Sequence, residues 1–323
     1  MKMQTCCPIC GAEAISRLAN ARSGKEIVLW HCEFCDYDFL VHDPTKDLAD
    51  NKLDDSRLKS AGLDIPTLER DFKNGLAQSR PYISEYLNAD DCNTNILEIG
   101  CSWGYFLQLV REAGANPYGI ELNTIRSKYV SETLRIPCDT TLEACETRGI
   151  KFRKIFLFYV LEYIPDPLDY LQRLVSLLED GGELIVITPN LSDAIKDLWQ
   201  NSAFQKFFYD EHAINYMSFC AVEKMVAKLP KSYAKVESRQ GYSFVNHLNW
   251  YLTQKPRTTG IVGGDRFIED IVSQLQSENA ALNVEQTQII DRLLSLMVNF
   301  DKEYRAVLEQ GNYGNQIRFV VKR

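Results

Sequence analysis

Ile96-Leu97-Glu98-Ile99-Gly100-Cys101-Ser102-Trp103-Gly104-Tyr105-Phe106-Leu107 decides the fold. A short, mostly apolar run ends at Gly100, and beyond a turn of small residues Trp103, Phe106, Leu107 and Val110 recur at helical spacing. The pattern predicts a strand, a glycine turn and a helix. Such a turn lets backbone approach a ligand closely, and the helix start offers unpaired N–H groups and a positive dipole end to a polar or anionic group. A dinucleotide fingerprint would read G-x-G-x-x-G, whereas here Gly100 and Gly104 flank Ser102.

The surroundings bound what this turn can serve. The chain has 323 residues, 45% hydrophobic and 25% charged, which suits a soluble globular protein of one large domain or two modest ones. A net charge of -8, with no run of five or more Lys or Arg, disfavours nucleic acid and acidic membrane as partners. Met1 to Cys10 has no apolar core, and no uninterrupted apolar stretch reaches membrane-spanning length, so the expected location is the cytoplasm. The ten cysteines are then expected to be reduced, and paired cysteines read as metal ligands.

Cys7-Pro-Ile-Cys10 and Cys32-Glu-Phe-Cys35 are two C-x-x-C units separated by 21 residues. This spacing predicts a zinc site of four thiolates, each pair on a tight knuckle with a hairpin between them. A closed four-thiolate site has no open position for substrate, so the Zn2+ is expected to be structural. Trp30, Phe34 and Phe39 are the candidate core of this small module, and Cys6 and His31 are adjoining substitutes as ligands. Few basic residues between Ala12 and Lys25 argue against a nucleic-acid grip.

Downstream, helical patterns punctuated by Gly75 and Pro81 place Leu68, Phe72 and Leu76 on one face and Tyr82, Ile83, Tyr86 and Leu87 on another. After the opening turn a second strand runs over Ala115 to Asn123 and carries Glu121, 17 residues beyond Gly104, where a carboxylate can accept both hydroxyl hydrogens of a ribose. Lys154 to Val160 has the continuous apolar character of a strand buried on both faces. An amphipathic helix through Leu168, Leu171, Leu174, Val175 and Leu178 ends at Gly181-Gly182, and Glu183 to Thr188 is another strand. These alternations predict a doubly wound α/β sheet.

Glu98-x-Gly100-x-Ser102-x-Gly104 resembles the first motif of the class I S-adenosylmethionine-dependent methyltransferases, with Ser102 in place of the middle glycine. The acidic second strand, L-E-x-x-x-D-P at Leu161 to Pro167 and G-G-x-L-x-V-x-x-P-N at Gly181 to Asn190 follow in the same order. With the cysteine pairs in front, the chain is similar to the zinc-ribbon branch that includes sugar C-methyltransferases. The resemblance implies a mostly parallel seven-stranded sheet with an N-terminal zinc ribbon and a helical insertion before the last strand. It implies a ribbon over 1–42, a helical connector over 43–91, the core over 92–240, an insertion over 241–313 and a closing strand over 314–323. S-adenosylmethionine would be held by Glu98, Gly100, Cys101, Ser102, Gly104, Tyr105, Glu121, Leu122, Asn123, Tyr159 and Glu162.

Tyr209, Glu211 and His212 match a Tyr-x-Glu-His pattern that the resembling enzymes use around their base. A histidine titrating near neutrality suits removal of the acceptor's proton, and a neighbouring carboxylate or phenol can orient it. The competing reading packs Tyr209 and His212 on one helical face with Asp210 and Glu211 solvated. His247, in an insertion that also offers Tyr242, Asn249 and Trp250, is the rival base.

The insertion carries one apolar stripe through Ile268, Ile271, Val272 and Leu275 and a second through Ile290, Leu293, Leu294, Met297, Phe300, Tyr304 and Leu308. These stripes pack on each other or the domain, or pair two copies as a homodimer. Tyr233 to Gln240 and Gln316 to Val321 are expected to close the sheet as an antiparallel hairpin. The expected substrate is a small polar molecule, a sugar nucleotide or glycan precursor. Two other classes stay open: an RNA-modifying methyltransferase using the ribbon, and a non-catalytic cofactor-binding scaffold. Tyr163 and Arg153, where the family usually carries His and an acidic residue, point to the scaffold.

Overall fold

The computed structural model describes residues 5–41, 65–256 and 284–323. Among the described residues, twelve strands fall into two sheets. The first begins with β1 (Thr5–Cys6), β2 (Glu13–Asn20), β3 (Glu26–Cys32) and β4 (Tyr37–Phe39). The second takes β5 (Asn95–Ile99), β6 (Asn116–Ile120), β7 (Cys138–Asp139), β8 (Phe152–Phe158) and β9 (Leu178–Pro189). A short strand, β10 (Asn215–Met217), follows β9 in sequence but joins the first sheet, and β11 (Tyr233–Arg239) and β12 (Gln316–Lys322) complete the second.

The second sheet has the order β11-β12-β9-β8-β5-β6-β7. Strands β9, β8, β5, β6 and β7 are parallel neighbours, and β12 runs antiparallel to both β9 and β11. The expected closing hairpin therefore forms, with Tyr233 opposite Lys322 and Arg239 opposite Gln316. The central strands are apolar on both faces: Ile96 and Leu97, Ile155 to Leu157, and Leu184 to Ile187 are all 0% exposed. Helices α1 (Ile65–Tyr86) and α2 (Tyr105–Glu112) cover one face, and α3 (Leu142–Arg148), α4 (Pro167–Ser176) and α5 (Phe219–Ala227) contribute to the core elsewhere.

Two sequence signals change meaning here. Gly75 and Pro81 punctuate the sequence pattern, yet α1 runs unbroken through both. Gly75 is a packing residue: a Cβ there would lie 2.4 Å from the ring of Tyr105, so only bare backbone lets α2 approach. In the insertion, α6 (Phe244–Thr253) and α7 (Val284–Gln310) are described, while the stripe through Ile268 and Leu275 lies outside the described residues. Leu294 and Leu308 of the second stripe are buried, and Leu293, Met297 and Phe300 are exposed. No described helix is long and apolar enough to cross a membrane.

The ribbon is fused to the larger domain. Strand β10 pairs antiparallel with β4, setting Asn215 opposite Phe39 and Met217 opposite Tyr37. Cys7, Trp30, Cys32, Cys35, Tyr37 and Phe39 belong to the same buried apolar cluster as Leu97, Leu157, Met217 and Val222. Phe34, expected in the ribbon core, is instead 65% exposed on the knuckle between Cys32 and Cys35, with the Lys224 ammonium 3.6 Å from its ring centre. Tyr37, fully buried, takes its place.

Candidate active site and metal centre

The ligand atoms of Cys7, Cys10, Cys32 and Cys35 all lie within 4.8 Å of one another. Tetrahedral Zn–S bonds of about 2.3 Å would set the sulfurs about 3.8 Å apart, so a small contraction suffices. This donor set fits Zn2+, and its closure leaves no position for substrate. Neither substitute joins it: Cys6 is exposed, and the Nδ1 of His31 sits 2.8 Å from Asp38 Oδ1. Asp38 is itself 0% exposed and takes the Arg17 guanidinium, His31 and the Tyr209 hydroxyl, so a buried carboxylate is fully partnered.

The Gly100 turn is built of alternating left-handed residues, with φ of +71° at Gly100, +50° at Ser102 and +80° at Gly104. Glycine adopts this region without strain, and Ser102 does so at some cost. Gly100 is required twice over, because a Cβ there would also lie 2.5 Å from Val160 Cγ2. The amides of Gly100 and Cys101 both donate to Ile120 O, stitching the turn to β6.

Glu121, at the carboxyl end of β6, accepts from the Ser102 amide at Oε2 and from the Asn123 amide at Oε1, both at 2.8 Å. The acidic strand end and the glycine turn are therefore one structure. Each carboxylate oxygen has a second lone pair, which keeps the expected acceptance of ribose hydroxyls chemically open. Beside it, Glu98 is 7% exposed, and its Oε2 has no hydrogen-bond partner among the described residues. Burial and the neighbouring Glu121 charge push the Glu98 carboxyl well above its ordinary range. An unmatched buried oxygen beside backbone-lined turns fits a polar cofactor held there.

The other expected cofactor residues divide. Leu122 is exposed, and Asn123 caps the next helical turn by accepting from Ile125 and Arg126. Tyr105 packs on Gly75 and Phe72, and Cys101 is buried with its sulfur 3.8 Å from that of Cys138. Tyr159, past the end of β8, has φ of +57° and donates its hydroxyl to Gln316 Oε1 at 2.9 Å. Glu162 follows on a 3-10 turn, Leu161–Tyr163, 5% exposed, with Thr188 Oγ1 3.4 Å from its Oε2.

Burial pushes the Glu162 carboxyl up to about 8. The native state then keeps a proton that an unfolded Glu releases near pH 4.3, so this contribution is full below that value and is lost as pH rises through about 8. Glu162→Gln is therefore expected to flatten the fall of melting temperature between pH 5 and pH 8 relative to wild type. Parallel curves would mean that Glu162 is ionised in the folded chain.

Around His212 the expected grouping is only partly built. Residues 209–214 form a loop and turn between a short helix, Ser202–Phe208, and β10, so the alternative helical face does not exist. The Tyr209 hydroxyl is committed to Asp38 at 2.8 Å, which corrects its expected role in orienting the imidazole. Glu211 is stabilised in its charged form chiefly by Ser23 of the ribbon, with the His212 and Lys25 charges adding smaller effects. His212 is exposed, and its amide donates to Asp210 Oδ1 at 3.0 Å.

His247, the rival base, is enclosed in a hydrogen-bond network of its own. It is 1% exposed, its Nε2 lies 2.9 Å from Gln240 Nε2, and its Nδ1 contacts the Tyr304 hydroxyl. The Gln240 amide is oriented by accepting from Asn315 N and donating to Tyr242 O, so its nitrogen donates to Nε2 and His247 carries its proton on Nδ1. Arg153 flanks the cofactor-bearing strand at its amino end, where it donates to Gly181 O at 3.0 Å. Its charge is remote from the Gly100 turn because β8 runs parallel to β5, which puts its start at the opposite end of the sheet from that turn.

The family profile described as a methyltransferase domain matches residues 68–228, and the strand order above is that of the class I fold. This chain contains a class I methyltransferase domain. Its relatives include the ubiquinone biosynthesis O-methyltransferase of Actinobacillus pleuropneumoniae, 33% identical over 108 residues, spanning 29% of this chain and 45% of that protein. The same-named protein of Ruegeria pomeroyi is 28% identical over 126 residues, spanning 37% of this chain and 47% of that one. The chain thus spans less than half the length of the curated relatives it matches. Among solved structures, a SAM-dependent methyltransferase from Archaeoglobus fulgidus aligns over 80% of this chain and 100% of that one, with 14% identity and a TM-score of 0.46. The match to the methyltransferase domain begins after the ribbon and ends with α5, so it includes the Gly100 turn, Glu121, Glu162 and His212.

Proposed function

We propose that this chain transfers the methyl group of S-adenosylmethionine to a small polar acceptor. The observation that carries the reading is the left-handed Gly100-Ser102-Gly104 turn with Glu121 bonded into it and Glu98 Oε2 buried beside it without a partner among the described residues. S-adenosylmethionine, when bound, supplies a methyl carbon already activated for in-line displacement. The chain's residues hold and orient. The turn gives close backbone approach, Glu121 accepts ribose hydroxyl hydrogens through its remaining lone pairs, and Glu98, Tyr159 and Glu162 line the same carboxyl edge of the sheet.

His212 is the proposed general base, taking the acceptor's proton, with Glu211 as its neighbouring carboxylate. Its support is location: Ile214, two residues on, donates its amide to Glu162 O at 2.8 Å, which ties the His212 loop to the end of β8. The acceptor is proposed to be a nucleotide-linked sugar or another glycan precursor, on the resemblance of the Tyr209 to His212 pattern. The relatives' names favour oxygen as the accepting atom.

Calorimetric titration with S-adenosylhomocysteine tests the reading, and binding near micromolar is expected. No binding would overturn it. In assays with labelled cofactor and a pool of sugar nucleotides, His212→Ala is expected to lower turnover by about a hundredfold or more while leaving cofactor affinity within about twofold. Wild-type turnover in His212→Ala would remove the base assignment.

A further inference from the structure

The turn that bears Glu162 is short and is held from outside. Its own backbone bonds are Tyr163 N to Val160 O at 2.9 Å and Ile164 N to Leu161 O at 3.3 Å. One isolated turn fixes several dihedral angles for few bonds and does not persist unaided. Asn215 supplies what is missing. Its Nδ2 donates to Leu161 O at 3.1 Å and to Ile164 O at 2.6 Å, one on each side of Glu162. The amide of the preceding residue, Ile214, donates to Glu162 O.

The other end of the Asn215 amide faces the ribbon. Its Oδ1 accepts from the Tyr37 hydroxyl, and both residues are buried, Asn215 at 4% exposed and Tyr37 at 0%. The amide cannot be turned over, because its oxygen would then meet two carbonyl oxygens. Backbone pairing of Asn215 with Phe39 and the bond from Leu40 N to Ile214 O fix the same segment against β4. A single side chain thus spans the ribbon and the turn.

We propose that Asn215 is the positioning residue of the Glu162 turn and that the ribbon, through Tyr37 and β4, holds Asn215 in place. The ribbon thereby sets where the cofactor strand ends. The consequence for binding rests on Glu162 lying in the cofactor site, whereas the hydrogen bonds do not depend on that reading. A merely structural Asn215 would lower the stability of the whole domain evenly. A positioning Asn215 loosens the turn ahead of the sheet.

Hydrogen exchange on the full chain, as isolated, separates the two. Tyr37→Phe removes one hydroxyl and keeps the shape, and Asn215→Asp keeps an acceptor for Tyr37 while removing both donors to the turn. In Tyr37→Phe the amides of Tyr163, Ile164 and Ile214 are expected to exchange about tenfold faster, and those of Ile155, Leu157 and Ile185 at the wild-type rate, with a larger difference in Asn215→Asp. Affinity for S-adenosylhomocysteine should fall in the same order. Turn amides that keep pace with the sheet amides in Tyr37→Phe would overturn the proposal, and this variant alone decides if Asn215→Asp does not fold. Wild-type chain that fails to bind S-adenosylhomocysteine, with the turn amides responding as described, would overturn the cofactor reading and leave the positioning role standing.

Discussion

Replacing Cys32 by serine is expected to abolish zinc binding and to lower the melting temperature by about 10 °C or more. The module closed by Cys7, Cys10, Cys32 and Cys35 is too small to supply a sufficient core by itself, and four converging sulfurs without a metal would be poorly matched in its interior. The effect should reach past the ribbon, because Tyr37 and Phe39 pack in one cluster with Met217 and Val222, and β10 has its partner strand in β4. Zinc released to a chromophoric chelator on denaturation, together with melting followed by circular dichroism, reads both parts. One equivalent of zinc in wild type and none in Cys32→Ser is the expected pair of results. Wild type that holds no zinc yet melts as high would remove the metal from the account.

Gly100→Ala should be the most damaging single change in the strand-turn-helix. The new methyl group would meet Val160 Cγ2 at 2.5 Å, and the residue would have to keep φ of +71°. The left-handed conformation costs about 1–2 kcal/mol for a non-glycine residue, and overpacking adds about 1–3 kcal/mol. Val160 directly precedes the Glu162 turn, so relief by moving it would displace the proposed cofactor edge. Affinity for S-adenosylhomocysteine is expected to fall by about a hundredfold, alongside a stability loss of about 2–5 kcal/mol in denaturant titration. Gly149→Ala is the matched control. Gly149 has φ of +66° with nothing within 4 Å of the added carbon, so only the conformational cost of about 1–2 kcal/mol should appear. Equal losses in the two variants would show that the contact with Val160 does not matter.

These two expectations also mark what kind of information the chain's order carries. The turn at Gly100, the acid at Glu121 and the C-x-x-C pairs were legible because each is a local demand of backbone or ligand geometry, written within a few residues. The buried runs at Ile155 and Leu184 were legible because a strand covered on both faces tolerates almost no polar side chain. Phe34 and Gly75 depart from their sequence expectation for a common reason. An aromatic ring beside a knuckle and a glycine within a helix take their meaning from what packs against them, Lys224 in one case and Tyr105 in the other.

A doubly wound sheet with a glycine-lined turn, a carboxylate at the end of the next strand and a four-thiol ribbon in front all follow from the order of residues, because local spacing and apolar periodicity are sufficient for each. Three-dimensional packing was needed to show that β10 extends the ribbon's sheet, that Tyr209 turns to Asp38 and that His247 is sealed between Gln240 and Tyr304. Several of those outcomes depend on partners far along the chain, 57 residues for His247 with Tyr304 and 171 for Tyr209 with Asp38. A side chain's hydrogen-bond partner is set by which strands are neighbours and in which direction they run, and no spacing within the chain specifies that.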